Sequence, residues 1–86
     1  MVRVWCDFNG GIDEDTFGLN YVGSKRDIEE QGIELRPGLD VTLYMEDELL
    51  DGRPAFLLVD AVMEAHPRYG FVARTKTDSW RHEPRK

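Results

Sequence analysis

The segment DFNGGIDEDTFG, residues 7–18, gathers Asp7, Asn9, Asp13, Glu14 and Asp15 around two adjacent glycines. Oxygen-rich loops of this kind can hold a hard cation, and calcium loops do so with oxygens at alternate positions, a glycine at the sharp turn and a closing bidentate glutamate. Framed from Asp7, the third ligand falls on Gly11, the turn glycine on Ile12 and the closing glutamate on Gly18; framed from Asp13, ligand positions fall on Phe17 and Ser24. Neither frame supplies a coordination sphere. The Asn-Gly-Gly run is instead a hairpin signal, and Asp13, Glu14 and Asp15 read as a solvated acidic tip, offering at most a weak, non-specific cation site.

Other chemistries fail on spacing too. His66 and His82 lie far apart, and Cys6, the lone cysteine, belongs to no C-x2-C pair, so no transition-metal set is assigned. The run GLNYVGSK has the outline of a phosphate loop, but Ser24 and Lys25 stand in the reverse of the required order. Cys6 shares its parity with Val2, Val4 and Phe8, where a thiol serves as a small buried apolar group. Asp60 is the one carboxylate early in the apolar run AFLLVDAVME, and a general base there would need a pKa drawn toward neutrality. The competing reading turns Asp60 outward with Val62 and Glu64, to pair with Arg74 or Arg3. No catalytic, cofactor-binding or metal-ligating residue is therefore assigned, and a non-enzymatic protein is expected.

One constellation remains, in RYGFVARTKTDSWR. Tyr69, Arg74, Lys76, Trp80 and Arg81 interleave cations with rings, the mixture that anchors protein interfaces and that also grips phosphates while stacking on bases. These five residues form the candidate partner-binding set. The expected partner is an unidentified protein or a second copy of the chain, with a nucleic-acid-binding small barrel as the alternative. A blander reading has the two rings closing the fold and the cations neutralising acidic neighbours.

Charge weighs on that choice. The 86 residues carry a net charge of −6, against the basic footprint of a nucleic-acid binder. Residues 1–65 hold five basic and fifteen acidic side chains, a net −10, whereas residues 66–86 hold six and two, a net +4. Such a division can mark a binding end, or it can be resolved by pairing between adjacent strands. The sequence shows neither a secretory leader nor an apolar run approaching the ~20 residues of a membrane span, and the single cysteine suits a reducing compartment; a cytoplasmic acidic protein with no membrane contact is expected.

Period-2 alternation predicts strands over residues 2–8, 16–22, 40–46 and 70–76, with Trp5 the misfit on a polar parity. The first two are expected to pair as a hairpin. Residues 55–64 are apolar on both parities, which predicts a central strand covered on both faces as a small sheet coils over itself. GSKRDIEEQGI predicts one short helix over about residues 25–31, with Ser24 and Asp27 as a capping box and Gly32 in the left-handed position of a Schellman stop, flanked by Ile28 and Ile33. Its charges oppose the macrodipole, so i,i+4 pairs Lys25–Glu29 and Arg26–Glu30 and docking must sustain it.

The resulting expectation is a mostly-β protein, a small five-stranded antiparallel meander or barrel with that one helix, occupying residues 1–79 and followed by an 80–86 C-terminal tail. The segments LRPGLDVTLYMED, LLVDAVME and YGFVARTK, in succession, resemble the consecutive strands of SH3-like small β-barrels. That resemblance implies a barrel architecture whose members bind peptides, nucleic acids or other subunits and are rarely enzymes. It implies no function for particular residues.

Overall fold

A computed structural model describes residues 2–85; Met1 and Lys86, the outer ends of the expected domain and tail, lie outside the described residues. The chain order is β1 (Val2–Trp5), β2 (Thr16–Gly18), α1 (Val22–Glu30), β3 (Asp40–Glu48), β4 (Pro54–His66), β5 (Gly70–Thr75) and β6 (Arg81–Pro84). These strands form one open, mostly antiparallel sheet in the order β1-β3-β4-β5-β2, with β6 added to β4.

The mostly-β expectation with a single helix holds, but two pairings differ. β1 does not form a hairpin with β2: it runs parallel to β3 in the register Val2↔Val41 to Trp5↔Tyr44, and β2 lies at the other edge against β5. The Asn-Gly-Gly segment turns the chain after β1, where Asp7 accepts the Gly10 N–H at its carbonyl and the Asn9 N–H at its carboxylate. Gly11 then bridges Phe17, so the acidic loop folds back on β2 alone. The second difference is a sixth strand. Residues 81–84, expected within a frayed tail, pair with Leu58–Ala55 of β4.

β4 explains how so short a chain makes a core. Its thirteen residues pair with β3 along one side, and with β6 and then β5 along the other, so both its edges are satisfied. Val59, Ala61 and Met63 face the main core with Val4, Leu43 and Ala73, yet Leu58, of opposite parity, is equally inaccessible. A bidentate Arg3–Glu83 bridge spans that second face from β1 to β6, with β3 and β4 lying between them. Side chains of this length meet across two intervening strands only because the sheet twists and coils. The apolar character of β4 on both parities follows from that coiling.

Local signals held where the chain needed only its neighbours. Gly38 and Gly52 take positive φ of 87° and 84° in the Pro37-Gly38 and Asp51-Gly52 turns. The helix ends in a Schellman motif, with Ile33 N–H on the Ile28 carbonyl at 3.0 Å, Gly32 N–H on that of Glu29 at 3.2 Å, and Gly32 at φ 62°. Ile28 and Ile33 both pack on the core.

The helix start is a correction. Tyr21 occupies the N-cap without a side-chain cap bond, and Ser24 and Asp27 are buried inside the helix, where they serve β1 instead. Asp27 accepts the Trp5 N–H at 2.9 Å, the Ser24 hydroxyl donates to the Trp5 carbonyl, and the Gln31 amide donates to the Arg3 carbonyl at 2.7 Å. Polar side chains thus take the place of a neighbouring strand along the outer edge of β1. Trp5 is half-buried beneath the helix, its indole N–H on Glu46 at 2.8 Å and its ring edge-on to Tyr21. Gly23 makes room for it, because a Cβ there would sit 2.9 Å from the indole ring.

Candidate interaction surface

The five residues of the candidate binding set do not converge. Arg74 donates to Glu64 at 3.2 Å and to Asp15 at 3.1 Å; Lys76 pairs with Asp40 at 2.8 Å and Arg81 with Asp60 at 3.3 Å. Asp15, Glu64 and Asp60 come from a neighbouring strand or the loop beside it and Asp40 from across β4, so the positive C-terminal segment neutralises the negative one within the sheet. Asp60 faces outward as one reading required, though its partners are Arg81 and Thr42 rather than Arg74 or Arg3. Burial pushes the Asp60 carboxyl up, but the hydrogen bonds from Thr42 and Arg81 outweigh it and hold the group below the usual carboxylate range. An ionised, ion-paired carboxylate is a weak proton acceptor at neutral pH. Cys6 is fully buried, and desolvation followed by the nearby Asp7 charge pushes its thiol up to about 12, far from nucleophilic.

Trp80 has an intramolecular role as well. Its ring lies edge-on to Phe8 and Phe17 at centroid distances of 5.0 and 6.2 Å, and Phe8 and Phe17 meet at 5.3 Å. These three rings gather residues beyond β1, on β2 and before β6 over one end of the core, leaving Trp80 partly exposed.

Tyr69 stands apart. It sits in the turn between β4 and β5, beside the His66 ring, with the Arg68 guanidinium 5.8 Å from its ring centre and the Asn20 amide donating to its carbonyl at 3.0 Å. It borders a groove of about 340 Å³ between α1 and the start of β5, floored by Leu19, Ile28 and Phe71 and walled by Leu35, Lys25 and Glu29. A second hollow of about 500 Å³ continues past Asn20 and Tyr69 toward Gly10, Gly11 and Tyr21. Leu35 and Tyr69 are among the large apolar side chains left exposed. Their neighbours Ile28 and Phe71 are packed on the core, so the groove is an opening into apolar packing rather than a scatter of surface residues.

The electrostatics around this groove contrast with the sheet. Lys25 and Arg68 belong to none of the ion pairs among the described residues, and the anticipated Lys25–Glu29 and Arg26–Glu30 pairs are not among them. No protein-family model, curated protein sequence or solved structure matches the chain. The surface has to be read from its own chemistry.

Sequence reasoning found Tyr69 but not Leu35 or Lys25. One signal was available: Leu35 is the only apolar residue in GIELRPG between the helix stop and the Pro-Gly turn apart from Ile33, which the Schellman motif already employs. A leucine in a turn-bound linker, with no strand or helix to bury it, marks an exposed contact.

Proposed function

We propose that this protein is a non-catalytic interaction module that takes an apolar polypeptide segment into the groove between α1 and β5. The observation that carries the reading is the pairing of exposed Leu35 and Tyr69 over the core residues Ile28 and Phe71, with Lys25 and Glu29 on the wall and Arg68 beside Tyr69, none of the three in an ion pair among the described residues. An apolar centre inside a polar rim is the usual anatomy of an interface, with tyrosine among the residues that concentrate binding energy. Of the five residues first considered, Tyr69 is the contributor. Arg74, Lys76 and Arg81 instead neutralise acidic neighbours, and Trp80 packs with Phe8 and Phe17. The coiled sheet, satisfied on both edges of β4, is also what supports the likeness to SH3-like small barrels.

A nucleic-acid-binding role has less behind it. Phosphates placed on Arg74, Lys76 or Arg81 would lie beside the carboxylates of Glu64, Asp15, Asp40 and Asp60, and the repulsion would have to be overcome before any contact helped. The two readings separate in a paired experiment. Affinity capture with the native chain, the Leu35→Glu/Tyr69→Ala double variant and Arg74→Gln should yield polypeptides lost only with the double variant; capture that ignores that change overturns the groove. Fluorescence anisotropy with mixed-sequence RNA and DNA at low salt should show no binding. A salt-sensitive affinity that is lost with Arg74→Gln would favour the nucleic-acid reading.

A further inference from the structure

The other extreme of exposure lies at the far end of the molecule. The β3–β4 connection, Leu49–Arg53, is closed by Leu49 N–H on the Arg53 carbonyl and by Gly52 N–H on the Leu49 carbonyl, both at 2.9 Å. This tight loop thrusts Leu50 wholly into solvent, at 111% relative exposure, in the acidic setting DELLD. Asp47 is held by His82 and Asp51 by Arg53, while Glu48 joins none of the ion pairs among the described residues. A leucine fully presented at a hairpin tip costs solubility and contributes nothing to the fold of one isolated chain.

We infer that the acidic hairpin tip bearing Leu50 docks into the α1–β5 groove of a second copy of this chain, an inference that rests on the groove being the interaction surface. Three observations converge on it. The tip is apolar and acidic, whereas the groove is apolar with Lys25 and Glu29 on its wall and Arg68 beside Tyr69, so cations outnumber carboxylates among these three groups. Glu48, Lys25 and Arg68 join none of the ion pairs among the described residues, so the contact gives Glu48 and Lys25 a counter-charge that the single chain does not. The third is distance. β4 starts next to the tip at Pro54 and ends next to Tyr69 at His66, and thirteen residues of strand span roughly 40 Å at about 3.3 Å per residue, close to the 41 Å longest dimension of the molecule. One chain cannot place its own tip in its own groove. Reciprocal exchange of tips about a two-fold axis gives a closed dimer, and one-way docking gives rings or open chains according to the rotation between copies.

A hairpin tip in a groove is a small contact, at the weak and transient end of interfaces. Self-association is accordingly expected only from about ten micromolar to about one millimolar. The test is sedimentation velocity with native mass spectrometry over that range, on the full chain and on Leu50→Asp, Leu35→Glu and Lys25→Glu, with circular dichroism to confirm that each variant is folded. Mass should rise with concentration for the native chain. Leu50→Asp and Leu35→Glu should each weaken association about ten-fold or more, as expected for a leucine side chain kept from burial. Lys25→Glu should weaken it less and lower its salt dependence. An equimolar mixture of Leu50→Asp, which keeps its groove, and Leu35→Glu, which keeps its tip, should recover one-to-one complexes. A native chain that stays monomeric throughout, or association indifferent to Leu50→Asp, overturns the inference. If the chain is monomeric yet captures a foreign polypeptide through Leu35 and Tyr69, the groove stands and self-docking falls; if nothing binds there, both fall.

Discussion

The two outer edges of the sheet are finished by different means. Along β1, α1 supplies Asp27, Ser24 and Gln31 to the backbone groups that a further strand would have used, and it lays Gly23 against Trp5. Along β2, the chain folds back on itself: Gly11 bridges Phe17, and Ile12 N–H reaches the Thr16 carbonyl at 2.8 Å. The same helix that seals the first edge stops short of β5 on its other side, and the groove beside Leu35 and Tyr69 is what remains between them. Directional hydrogen bonds close an edge against any partner, whereas uncovered apolar packing leaves one free to be covered. The sealed side should thus dominate stability and the open side association.

The largest effect should come from Asp27→Ala. Asp27 also accepts the Tyr44 hydroxyl at 2.7 Å, so the change strands two part-buried donors at once. At about 1–3 kcal/mol for each unsatisfied donor, urea denaturation should show a loss of about 2–6 kcal/mol. Asp27→Asn, which keeps an acceptor, should recover part of it. If Asp27→Ala cost no more than a surface substitution, the sealed edge would not be the stabilising one.

Gly23→Ala should follow. Alanine gains about 1 kcal/mol of helix propensity, but its Cβ would lie 2.9 Å from an indole that Glu46 and Tyr21 hold in place. Overpacking of this kind costs about 1–3 kcal/mol, so the net change should be destabilising and should move the Trp5 fluorescence. A stabilised Gly23→Ala variant would mean that the helix does not bear on Trp5.

Acid should act next, through carboxylates spread over the sheet. The Trp5 indole on Glu46 and the Arg3 guanidinium on Glu83 hold both carboxyls below their ordinary 4.5, as Thr16 and His82 hold those of Asp15 and Asp47 below 3.8. Depressed carboxylate pKa values mean that the unfolded chain binds more protons, so stability rises with pH through this window. It is fully present above about 4.5 and lost as pH falls through the lowered values. Thermal midpoints from pH 6 down to pH 3 should decline below pH 4.5, with a change in Trp5 emission as its bond to Glu46 is lost; a flat profile would contradict this.

Arg74→Gln should do least. Its two exposed bridges to Glu64 and Asp15 are of a kind worth about 0–1 kcal/mol each, and the denaturation midpoint should barely move. A large loss would promote the charged stripe from neutralising its neighbours to holding β5 and β2 together.

The legibility of this chain divides along the range of the forces involved. The Schellman stop at Gly32, the Pro37-Gly38 and Asp51-Gly52 turns, the inward face of β3 and the two-sided covering of β4 were readable, since each depends on side-chain parity or on backbone conformation within a few residues. Ser24 and Asp27 misled because the capping-box spacing is identical to the spacing that places both residues on the face toward β1. β6 was missed because RHEP has no apolar alternation and is exposed along its whole length, so backbone pairing with β4 and ion pairs to distant strands define it. At the candidate surface, Tyr69 was legible as an aromatic in a turn, whereas Leu35 became a wall only when α1 docked beside β5.

By itself, then, the sequence determined which residues face inward, where the chain turns and how its charge divides between the two ends, because periodicity, glycine φ and charge are properties of the residues. Only the tertiary structure decided that β1 lies parallel to β3, which cations would be left unpaired and where Leu50 and the groove stand relative to each other. Period-2 alternation names a face but not a neighbour, and the neighbour is set by a competition among distant strands and the helix for the same backbone donors and acceptors. Asp27 settled that competition on one edge of the sheet by accepting the Trp5 N–H.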